Sequence, residues 1–405
     1  MSAGRPPLEG LRVADFTHVW AGPFCTLQLA HMGAEVIRVE TASRVCVTRQ
    51  LPPWPEAQPG YNRSGYFNQY NQGKKSITLN LKDPRAIDVA RELIRCSDVV
   101  VENFAAGVMD RLGLGYDVCR ELRPDVVMIA LSGYGATGPE KDYVSYGPAQ
   151  VPLSGFSSLT GYRGWRPMHI GISYGDPTCG LQGAVAVLAA LIHRRRTGEG
   201  QYIDLSQWEG TMTLLPEGIL AQTMGATVPE RDGNRDPLWA PHGNYRCQGD
   251  DRWVSIVVAD DSEWDAFSGV VDPALASDSR FSSAALRKAN EDALDEIVGS
   301  WCAGRSAEEA SRALQAVGIA ALPVMNAKDL HDDPHLGSRD YFVEQPHPEV
   351  GTRRHMGIPY KLHGTPVKVR AAAPCLGADT DAVLRDVLGY DAERISALRA
   401  AGVLD

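Results

Sequence analysis

The stretches Leu11-Arg-Val-Ala-Asp-Phe16 and Glu35-Val-Ile-Arg-Val-Glu40 are short and rich in β-branched residues, and they flank an apolar segment that runs from Gly22 to Met32 with helical spacing. A strand, a helix and a second strand within about thirty residues predict a βαβ unit. Parallel strands need a crossover of this kind to be neighbours. The sequence therefore predicts an α/β fold from its first forty residues.

The alternation of strand and helix patterns continues to about residue 205. Near-continuous apolar strands are typical of parallel sheets that are buried on both faces. Helical patterns lie between them, including one from Pro84 to Ser97 and one over residues 177–196. We expect a Rossmann-like, doubly wound parallel sheet in a large domain. The further predicted strands are Ser76–Leu81, Asp98–Asn103, Asp125–Leu131 and Gln201–Leu205.

The pattern changes after about residue 230. A chain of 405 residues is long for one core. Residues 244–258 have the pattern of an antiparallel hairpin, and a short helix is predicted over Ser306–Val317. We therefore expect a first part of the large domain over 1–228, a smaller α+β domain over 229–330, and a C-terminal segment over 331–405 that returns to the large domain.

Composition excludes several classes of partner. The net charge of −10 argues against nucleic acid or an anionic membrane as the main partner. The longest apolar run, Ala184–Ile192, is short for a membrane span, and the N-terminus lacks the apolar core of a signal peptide. Eight scattered cysteines without a C-x-x-C pair favour reduced thiols. We expect a cytoplasmic protein without membrane or nucleic-acid partners.

Asp176 lies in the run Gly171-Ile-Ser-Tyr-Gly-Asp-Pro-Thr-Cys-Gly180, directly before Pro177 and a long apolar stretch. This order predicts a helix with Asp176 as N-cap and Pro177 at the first helical position. A carboxylate there faces free N–H groups and should stay ionised. It could be a cap alone, or a positioned nucleophile for a covalent mechanism.

The same run contains Gly171-Ile-Ser173-Tyr-Gly175, which matches the G-x-S-x-G elbow of serine hydrolases. That motif needs a buried strand before it, and Trp165–Ile170 is a poor strand. Ser173 as a hydrolase nucleophile is therefore a less favoured alternative. A dinucleotide site is disfavoured because Thr17–Pro23 contains a single glycine.

A set of cations lies near predicted strand ends or in the loops that follow, where open α/β sheets bind ligands. Such a set fits a polyphosphate ligand. The spacing of His331 and His335 would suit a helical zinc pair, but Pro334 interrupts it, and we expect no metal. The cations are Arg38, Lys74, Lys75, Arg111 and Lys141.

Several short motifs, in order and over some 200 residues, together carry a resemblance to the class III (CaiB/BaiF-type) CoA-transferases, the family of formyl-CoA and carnitine CoA-transferases. The resemblance covers essentially the whole chain. The motifs are Leu8-Glu-Gly-Leu-Arg-Val-Ala-Asp15, Ala21-Gly-Pro23, Gly33–Glu40, Asn71-Gln-Gly-Lys-Lys-Ser-Ile77, Asn103-Phe104, Leu131-Ser-Gly-Tyr-Gly135, Gly138-Pro139, Gly175-Asp176 and Thr197-Gly-Glu-Gly-Gln201.

The resemblance implies a function, a site and an assembly. Asp176 falls on the catalytic aspartate of the family, which moves CoA from a donor acyl-CoA to a small carboxylic acid through aspartyl-anhydride and aspartyl-CoA thioester intermediates. CoA and acyl-CoA are then substrates, with no permanently bound cofactor, and two chains form an interlocked homodimer. The positions that fall in CoA-binding segments are Trp20, Ala21, Lys74, Lys75, Asn103, Phe104, Arg111 and Lys141.

Two departures from the family pattern concern the pocket. Thr41 stands where some members carry an arginine near the nucleotide, and a glycine-rich loop of the small domain is not evident. The stretch Pro237–Gly243 is closer to the carnitine type and suggests a bulkier acyl pocket. The predicted pocket residues are Tyr146, Gly175, Trp239 and His242.

The same fold also hosts α-methylacyl-CoA racemases, which pair the aspartate with a histidine. That histidine would fall in the loop Tyr143–Pro148, where the sequence has Tyr146 and where no histidine occurs between residues 32 and 168. Tyrosine is a weak base for an α-proton unless its pKa is strongly shifted. A transferase is therefore favoured over a racemase.

Overall fold

The computed structural model describes residues 4–227 and 230–405. The chain forms two compact units: a large unit of Met1–Ser157, His169–Val228 and Ser338–Asp405, and a small unit of Ser158–Met168 and Pro229–Gly337. The predicted boundary between 228 and 229 lies outside the described residues. The small unit also takes in residues 158–168 and ends at Gly337 rather than at 330.

Within the described residues, the main sheet of the large unit has six strands, all parallel, in the order β3-β2-β1-β4-β5-β6. This order is that of a doubly wound Rossmann-type sheet, which confirms the predicted fold class. The strands are β1 (Arg12–Asp15), β2 (Glu35–Glu40), β3 (Lys75–Thr78), β4 (Val99–Glu102), β5 (Val127–Ser132) and β6 (Gln201–Ser206).

The strand order reverses between β1 and β4. β1 pairs with β2 on one side and with β4 on the other, and Asp15 is in register with Arg38 and with Val101. Open α/β sheets bind ligands beyond the carboxyl ends of the strands at such a reversal. The loops after Asp15 and after Glu102 are therefore the ones that the topology offers to a ligand.

Successive side chains of a strand point to opposite faces of the sheet, so both faces carry apolar side chains, and helices cover them. Val13 belongs to one apolar cluster and Ala14 to the other. The helices in this part of the chain are α1 (Ala21–His31), α2 (Gly65–Tyr70), α3 (Pro84–Arg95), α4 (Val108–Arg111), α5 (Tyr116–Leu122), α6 (Gly147–Leu153), α7 (Phe156–Leu159), α8 (Gly175–Thr197), α9 (Gln207–Met212) and α10 (Pro216–Thr223).

Helix α8 is the longest of these helices and packs against α1. By length and composition alone it is apolar enough to cross a membrane, although half of its apolar window is buried inside the protein. Core helices of soluble proteins pass the same test. The expectation of no membrane partner stays a prediction, because this test concerns length and composition alone.

The small unit is built around an antiparallel sheet in the order β7-β8-β9. Ser306 caps α14 in a capping box with Glu309, which satisfies two free N–H groups at the helix start. The elements are β7 (His242–Arg246), β8 (Trp253–Val257), α11 (Asp261–Val271), α12 (Ala284–Ala289), α13 (Glu291–Ala303), α14 (Ala307–Gln315), β9 (Ala320–Pro323), α15 (Ala327–Asp332) and α16 (Pro334–Ser338).

The C-terminal segment belongs to the large unit. An antiparallel hairpin of β10 (Phe342–His347) and β11 (Gly351–Met356) precedes α17 (Thr380–Asp386) and α18 (Ala392–Ala400). Val403 and Leu404 enter an apolar cluster of the main sheet, and the Asp379 carboxylate accepts a hydrogen bond from the Ser76 N–H at 2.9 Å. These contacts place the end of the chain against β3.

Candidate active site

Asp176 lies in the first turn of α8, a helix that packs against β5. The prediction that Asp176 is the N-cap is wrong, because the helix begins at Gly175 and Tyr174 precedes it with helical backbone angles. The Asp176 N–H donates to the carbonyl of Ser173 at 3.0 Å, which extends the helical turn backwards. Asp176 therefore does not cap its own helix.

Two glycines allow close packing at the start of α8, and one of them makes room for the Asp176 carboxylate. A Cβ on Gly147, the first residue of α6, would collide with Oδ2 of Asp176 and would lie 2.6 Å from Cβ of Ser173. A Cβ on Gly175 would lie 2.6 Å from Oγ1 of Thr211 on α9. Close packing of α6 and α9 against the start of α8 leaves Asp176 only 6% exposed.

Burial raises the pKa of Asp176 to about 7, and the backbone N–H of Ala21, acting as a hydrogen-bond donor, offsets part of this rise. The expectation that this carboxylate simply stays ionised is therefore wrong: near neutral pH both forms are populated. Ala21 is the first residue of α1, so its N–H has no partner within that helix. The carboxylate thus lies at the N-terminus of α1 as well as of α8.

Trp20 precedes Ala21 and packs on two tyrosines of α2. Its ring centroid lies 5.7 Å from that of Tyr66 and 5.2 Å from that of Tyr70. Its Nε1 is buried without a hydrogen-bond partner among the described residues. The charge on Asp176 contributes to the raised pKa of Tyr66, so the Tyr66 hydroxyl belongs to the same neighbourhood.

Asn103 and Phe104 follow β4, beside the loop between β1 and α1. Both polar atoms of the Asn103 side chain bond to the backbone of His18, at 2.7 Å each. The Phe104 ring packs against the His18 ring at 5.5 Å. The structure therefore brings Trp20, Ala21, Asn103 and Phe104 together at the reversal of the strand order.

Arg38 and Lys74, two of the cations predicted to bind the polyphosphate part of CoA, have fully buried side chains. Lys74 Nζ lies 3.3 Å from Asp15 Oδ2 and also donates to Thr26 and Asn71. Burial lowers the pKa of Lys74 to about 8 despite that neighbouring carboxylate. These two cations have partners inside the protein, and their contact with CoA stays a prediction.

The other predicted cations lie near the surface at separate places. Lys75 begins β3, at the amino edge of the sheet, and its Nζ lies 2.6 Å from Glu35. Exposed Lys141 pairs with Asp142 at 3.2 Å. Exposed Arg111, at the end of α4, lines a cavity of about 290 Å³ with Lys82 and Arg91. Of the predicted cations, Arg111 suits a phosphate best, because it lines a cavity together with two other cationic side chains.

Tyr146 is 63% exposed and directly precedes Gly147. It is thus one residue from the contact with Asp176. Ser173 is partly buried beside Asp176, but the described residues 160–172 contain no strand. The elbow of a serine hydrolase requires one, so the local structure does not support Ser173 as a nucleophile.

The predicted pocket residues Trp239 and His242 belong to the small unit. Trp239 is 40% exposed, and its ring lies 6.3 Å from the His242 ring. His242 bonds to the carbonyl of Asn234 at 2.6 Å through Nδ1 and lines a cavity of about 530 Å³. Arg235 and Asp292 also line this cavity and form an ion pair at 2.6 Å.

Two further chemistries, metal binding and disulfide bonding, depend on how the His, Cys, Asp and Glu side chains are placed. Over the part of the chain that the structure describes, no group of three or more His, Cys, Asp or Glu side chains is placed to hold a metal ion. All eight cysteines lie in that part and are free thiols, most of them buried.

Sequence reasoning missed Tyr66, Gly147 and Thr211 as neighbours of Asp176. Each lies more than 25 positions from Asp176 and carries no local motif, so only the packing of α2, α6 and α9 brings them there. The only sequence feature that could have pointed to one of these neighbours is that residue 147 is a glycine, which permits close packing.

The fold and this site define an α/β protein with a doubly wound parallel sheet and an enclosed carboxylate, Asp176, in the first turn of α8. The chain matches the sequence profile of CoA-transferase family III over residues 8–380. It is 30% identical over 407 residues to the succinyl-CoA–D-citramalate CoA-transferase of Chloroflexus aurantiacus, with all of both chains covered.

Other similarities agree with this match. The chain is 31% identical over 421 residues to a formyl-CoA:oxalate CoA-transferase of Rhodopseudomonas palustris, covering 98% of this chain and 97% of that one. A CaiB/BaiF family protein from Brucella suis has a similar structure, with a TM-score of 0.85, 27% identity, and coverage of 95% and 100%. The chain belongs to CoA-transferase family III, and it is a transferase enzyme whose substrates are CoA thioesters.

Proposed function

We propose that this enzyme moves CoA from a donor acyl-CoA to a small carboxylic acid through covalent intermediates on Asp176. The observation that carries the proposal is the Asp176 carboxylate itself, enclosed between α6, α8 and α9 with its pKa raised to about 7. A carboxylate with that pKa is available as a nucleophile at neutral pH and is poorly solvated, which favours attack.

In the first half of the reaction an Asp176 oxygen attacks the thioester carbonyl of the donor. The C–S bond breaks and CoA leaves as a thiolate, giving a mixed anhydride. The thiolate then attacks the Asp176 carbonyl carbon, the donor carboxylate leaves, and an aspartyl-CoA thioester remains. In the second half the acceptor carboxylate attacks the carbonyl of this thioester, CoA leaves again as a thiolate, and a second mixed anhydride forms. The thiolate then attacks the acceptor carbonyl carbon, which releases the new acyl-CoA and the Asp176 carboxylate.

The N–H of Ala21 supports this proposal at a specific step. When the thiolate attacks the Asp176 carbonyl, negative charge develops on the side-chain oxygen of Asp176. A backbone donor at the start of α1 is already oriented toward that carboxyl group and needs no reorganisation. We therefore assign the Ala21 N–H to stabilise the tetrahedral intermediates formed at Asp176.

The CoA nucleotide is proposed to bind toward Arg111. The cavity beside Arg111 carries three cationic side chains, of Lys82, Arg91 and Arg111, and one carboxylate, of Asp88. Arg91 is partly engaged, since it bonds to Asp88 and to the Gly113 carbonyl. Exposed Arg111 and Lys82 remain suited to phosphate groups.

The identity of the acids is also a proposal. Relatives named for succinyl-CoA, D-citramalate, formyl-CoA and oxalate support a small acid as the acceptor. The stretch that contains Trp239 stands in place of a glycine-rich loop, and it supports an acyl pocket whose shape differs from one that such a loop would form.

We further propose a homodimer that acts in the cytoplasm. Along one face of α8 the side chains of Leu181, Val185 and Ile192 are exposed, Val185 by 67%. Their spacing forms an apolar stripe that a second copy of the chain would cover. Eight free thiols suit a reducing compartment. Sedimentation of the purified protein would test the dimer.

The central experiment is trapping of the covalent intermediate. The protein is incubated with succinyl-CoA or formyl-CoA, treated with hydroxylamine, digested and examined by mass spectrometry, with D176N as the control. A hydroxamate on Asp176 that is absent from D176N is the expected result. Modification of Ser173 would instead indicate a hydrolase, and exchange of the α-proton without any modification would indicate a racemase.

A further inference from the structure

The loop between β1 and α1 contains a strained residue two positions before the active-site amide of Ala21. Val19 has a φ of 63°, a left-handed conformation that β-branched side chains rarely adopt. Such a conformation persists only where surrounding contacts impose it, and it is often found where a site needs a fixed geometry. The contacts around Val19 therefore bear on the position of Ala21, two residues later.

Asn103 holds this loop from the neighbouring strand. Its Oδ1 accepts a hydrogen bond from the His18 N–H at 2.7 Å, and its Nδ2 donates to the His18 carbonyl at 2.7 Å. A Cβ on Gly22 would lie 3.0 Å from Asn103 Cγ, so the amide also lies against the first turn of α1. One side chain thereby fixes the peptide groups on both sides of His18.

Cys46 also holds the peptide group between His18 and Val19. The Val19 N–H donates to Cys46 Sγ at 3.3 Å, and this sulfur lies 3.2 Å from Thr48 Oγ1. On the far side of the loop, α1 and α8 approach so closely that a Cβ on Gly180 would lie 2.7 Å from the Ala21 carbonyl oxygen. The loop is thus held on one side by Asn103 and Cys46, and on the other by α8, which carries Asp176.

We propose that Asn103 is a positioning residue for catalysis: its two bonds to His18 hold the strained loop so that the Ala21 N–H stays on the Asp176 carboxyl group. This inference rests on the proposed role of Asp176. It differs from a role of Asn103 as a direct contact of CoA, which would affect substrate binding and leave Asp176 unchanged.

The expected consequence is a change in the titration of Asp176. Losing the Ala21 donor removes the interaction that opposes the raised pKa of Asp176, so its pKa rises further. The titratable groups that face Asp176 are Tyr66 on α2 and Cys179 on α8, both with raised pKa values; α6 contributes Gly147 and α9 contributes Thr211, neither of them charged. Tyr66 and Cys179 are therefore neutral in the pH range that matters here.

The test compares N103L, which removes both bonds while keeping the branched shape of the side chain, with the wild type in single-turnover acylation by acyl-CoA between pH 5 and 9. We expect the midpoint of the pH–rate profile to move to higher pH by about 0.5 to 1 pH unit. The rate at pH 7 and saturating acyl-CoA should fall roughly three- to tenfold. The Kd for CoA should change less than about twofold. R111A provides the opposite signature, a raised Kd with an unmoved midpoint.

An unmoved midpoint with a raised Kd in N103L would overturn the proposal and make Asn103 a CoA contact. If N103L does not fold, N103A removes the same two bonds without adding bulk and should move the midpoint in the same direction. A separate measurement takes the pKa of Asp176 from the pH dependence of the stability difference between each protein and its D176N derivative. That pKa is defined even if Asp176 is never acylated, so failure of the proposed function and failure of this inference give different results.

Discussion

Gly147 and Asp176 are in direct contact: a Cβ at position 147 would occupy the place of Oδ2 of Asp176. Gly147 is the first residue of α6 and Asp176 the second residue of α8, so their contact brings the first turns of two helices together. Two convergent N-termini favour negative charge, while the packing that brings them together removes water from the carboxylate. For Asp176 the loss of water dominates, and its pKa rises to about 7.

The first prediction follows from that contact. In G147A the methyl group should displace the Asp176 side chain, because the nearby Cβ of Ser173 leaves it no alternative space. A displacement of about 1 Å at a reacting group can cost roughly 100-fold, so kcat should fall by about that factor. Steady-state transferase kinetics measure it.

The matched control is G269A. Gly269 also lies within a helix, α11, and a Cβ there would meet nothing within 4 Å. Activity of G269A should equal that of the wild type. An equally active G147A would mean that Asp176 tolerates movement and that its position is not needed for the reaction.

The second prediction concerns stability and pH. Asp176 has a pKa of 3.8 when unfolded and about 7 when folded, so between these values the folded protein binds more protons than the unfolded chain. The free energy of unfolding should therefore fall as pH rises from about 4 to about 7, and should stay lower above that range. D176N should not lose stability in this way, because an asparagine side chain does not ionise.

D176N should accordingly be inactive but more stable than the wild type at pH 8, by up to about 4 kcal/mol, with the difference disappearing near pH 4. Urea unfolding at several pH values provides the measurement. D142N, which alters an exposed carboxylate beside Lys141, is the control, and its free energy of unfolding should differ little from that of the wild type at any pH. A D176N protein that is less stable at pH 8 would contradict the raised pKa.

The third prediction separates two roles for Lys74. Its ammonium group is fully buried against Asp15, so K74M leaves a buried carboxylate without its cation and should lower the free energy of unfolding by roughly 3–5 kcal/mol. K75M removes a partly exposed cation beside Glu35 and should cost at most about 1 kcal/mol. Chemical denaturation of both variants measures the difference. A stable K74M with a raised KM for acyl-CoA would favour a direct CoA contact.

The sequence was most informative where the pattern is local. The bounds of β2, Glu35–Glu40, were predicted to the residue, and Asp83 caps α3 through the Arg85 N–H as its position before Pro84 indicates. The hairpin of β7 and β8 was also predicted, because its apolar alternation is short-range.

The burial and the charge of the site residues could not be predicted from the local sequence in the same way. Asp176 looks like a cap because Pro177 follows it, yet its environment is set by Ala21, Tyr66 and Gly147, far away in the sequence. Arg38 and Lys74 look like ligand-binding cations, and only the tertiary structure shows that Glu40 and Asp15 already pair with them. Burial and pairing are properties of the folded core, and no single segment encodes them.

The fourth prediction tests the nucleotide end of the site. Arg111 is exposed beside a cavity, so R111A should raise the KM for acyl-CoA roughly tenfold and leave kcat nearly unchanged, as expected when a uniform binding contact is lost. R95A, at the end of α3, removes another arginine outside that cavity and should leave both constants unchanged. A KM for R111A equal to that of the wild type would place the phosphates elsewhere.

The fifth prediction addresses the choice of acceptor. If the exposed Trp239 ring lines the acyl pocket, W239A enlarges that pocket, and the ratio of kcat/KM for a bulky acid over a small acid such as oxalate should rise about tenfold or more. W253A changes another tryptophan of the small unit, whose Nε1 bonds to Asp251, and should leave the ratio as it is. Competition between two acids for one acyl-CoA donor measures the ratio directly. An unchanged ratio in W239A would remove Trp239 from the pocket, because a lost indole ring in contact with the acyl group cannot be neutral toward its size.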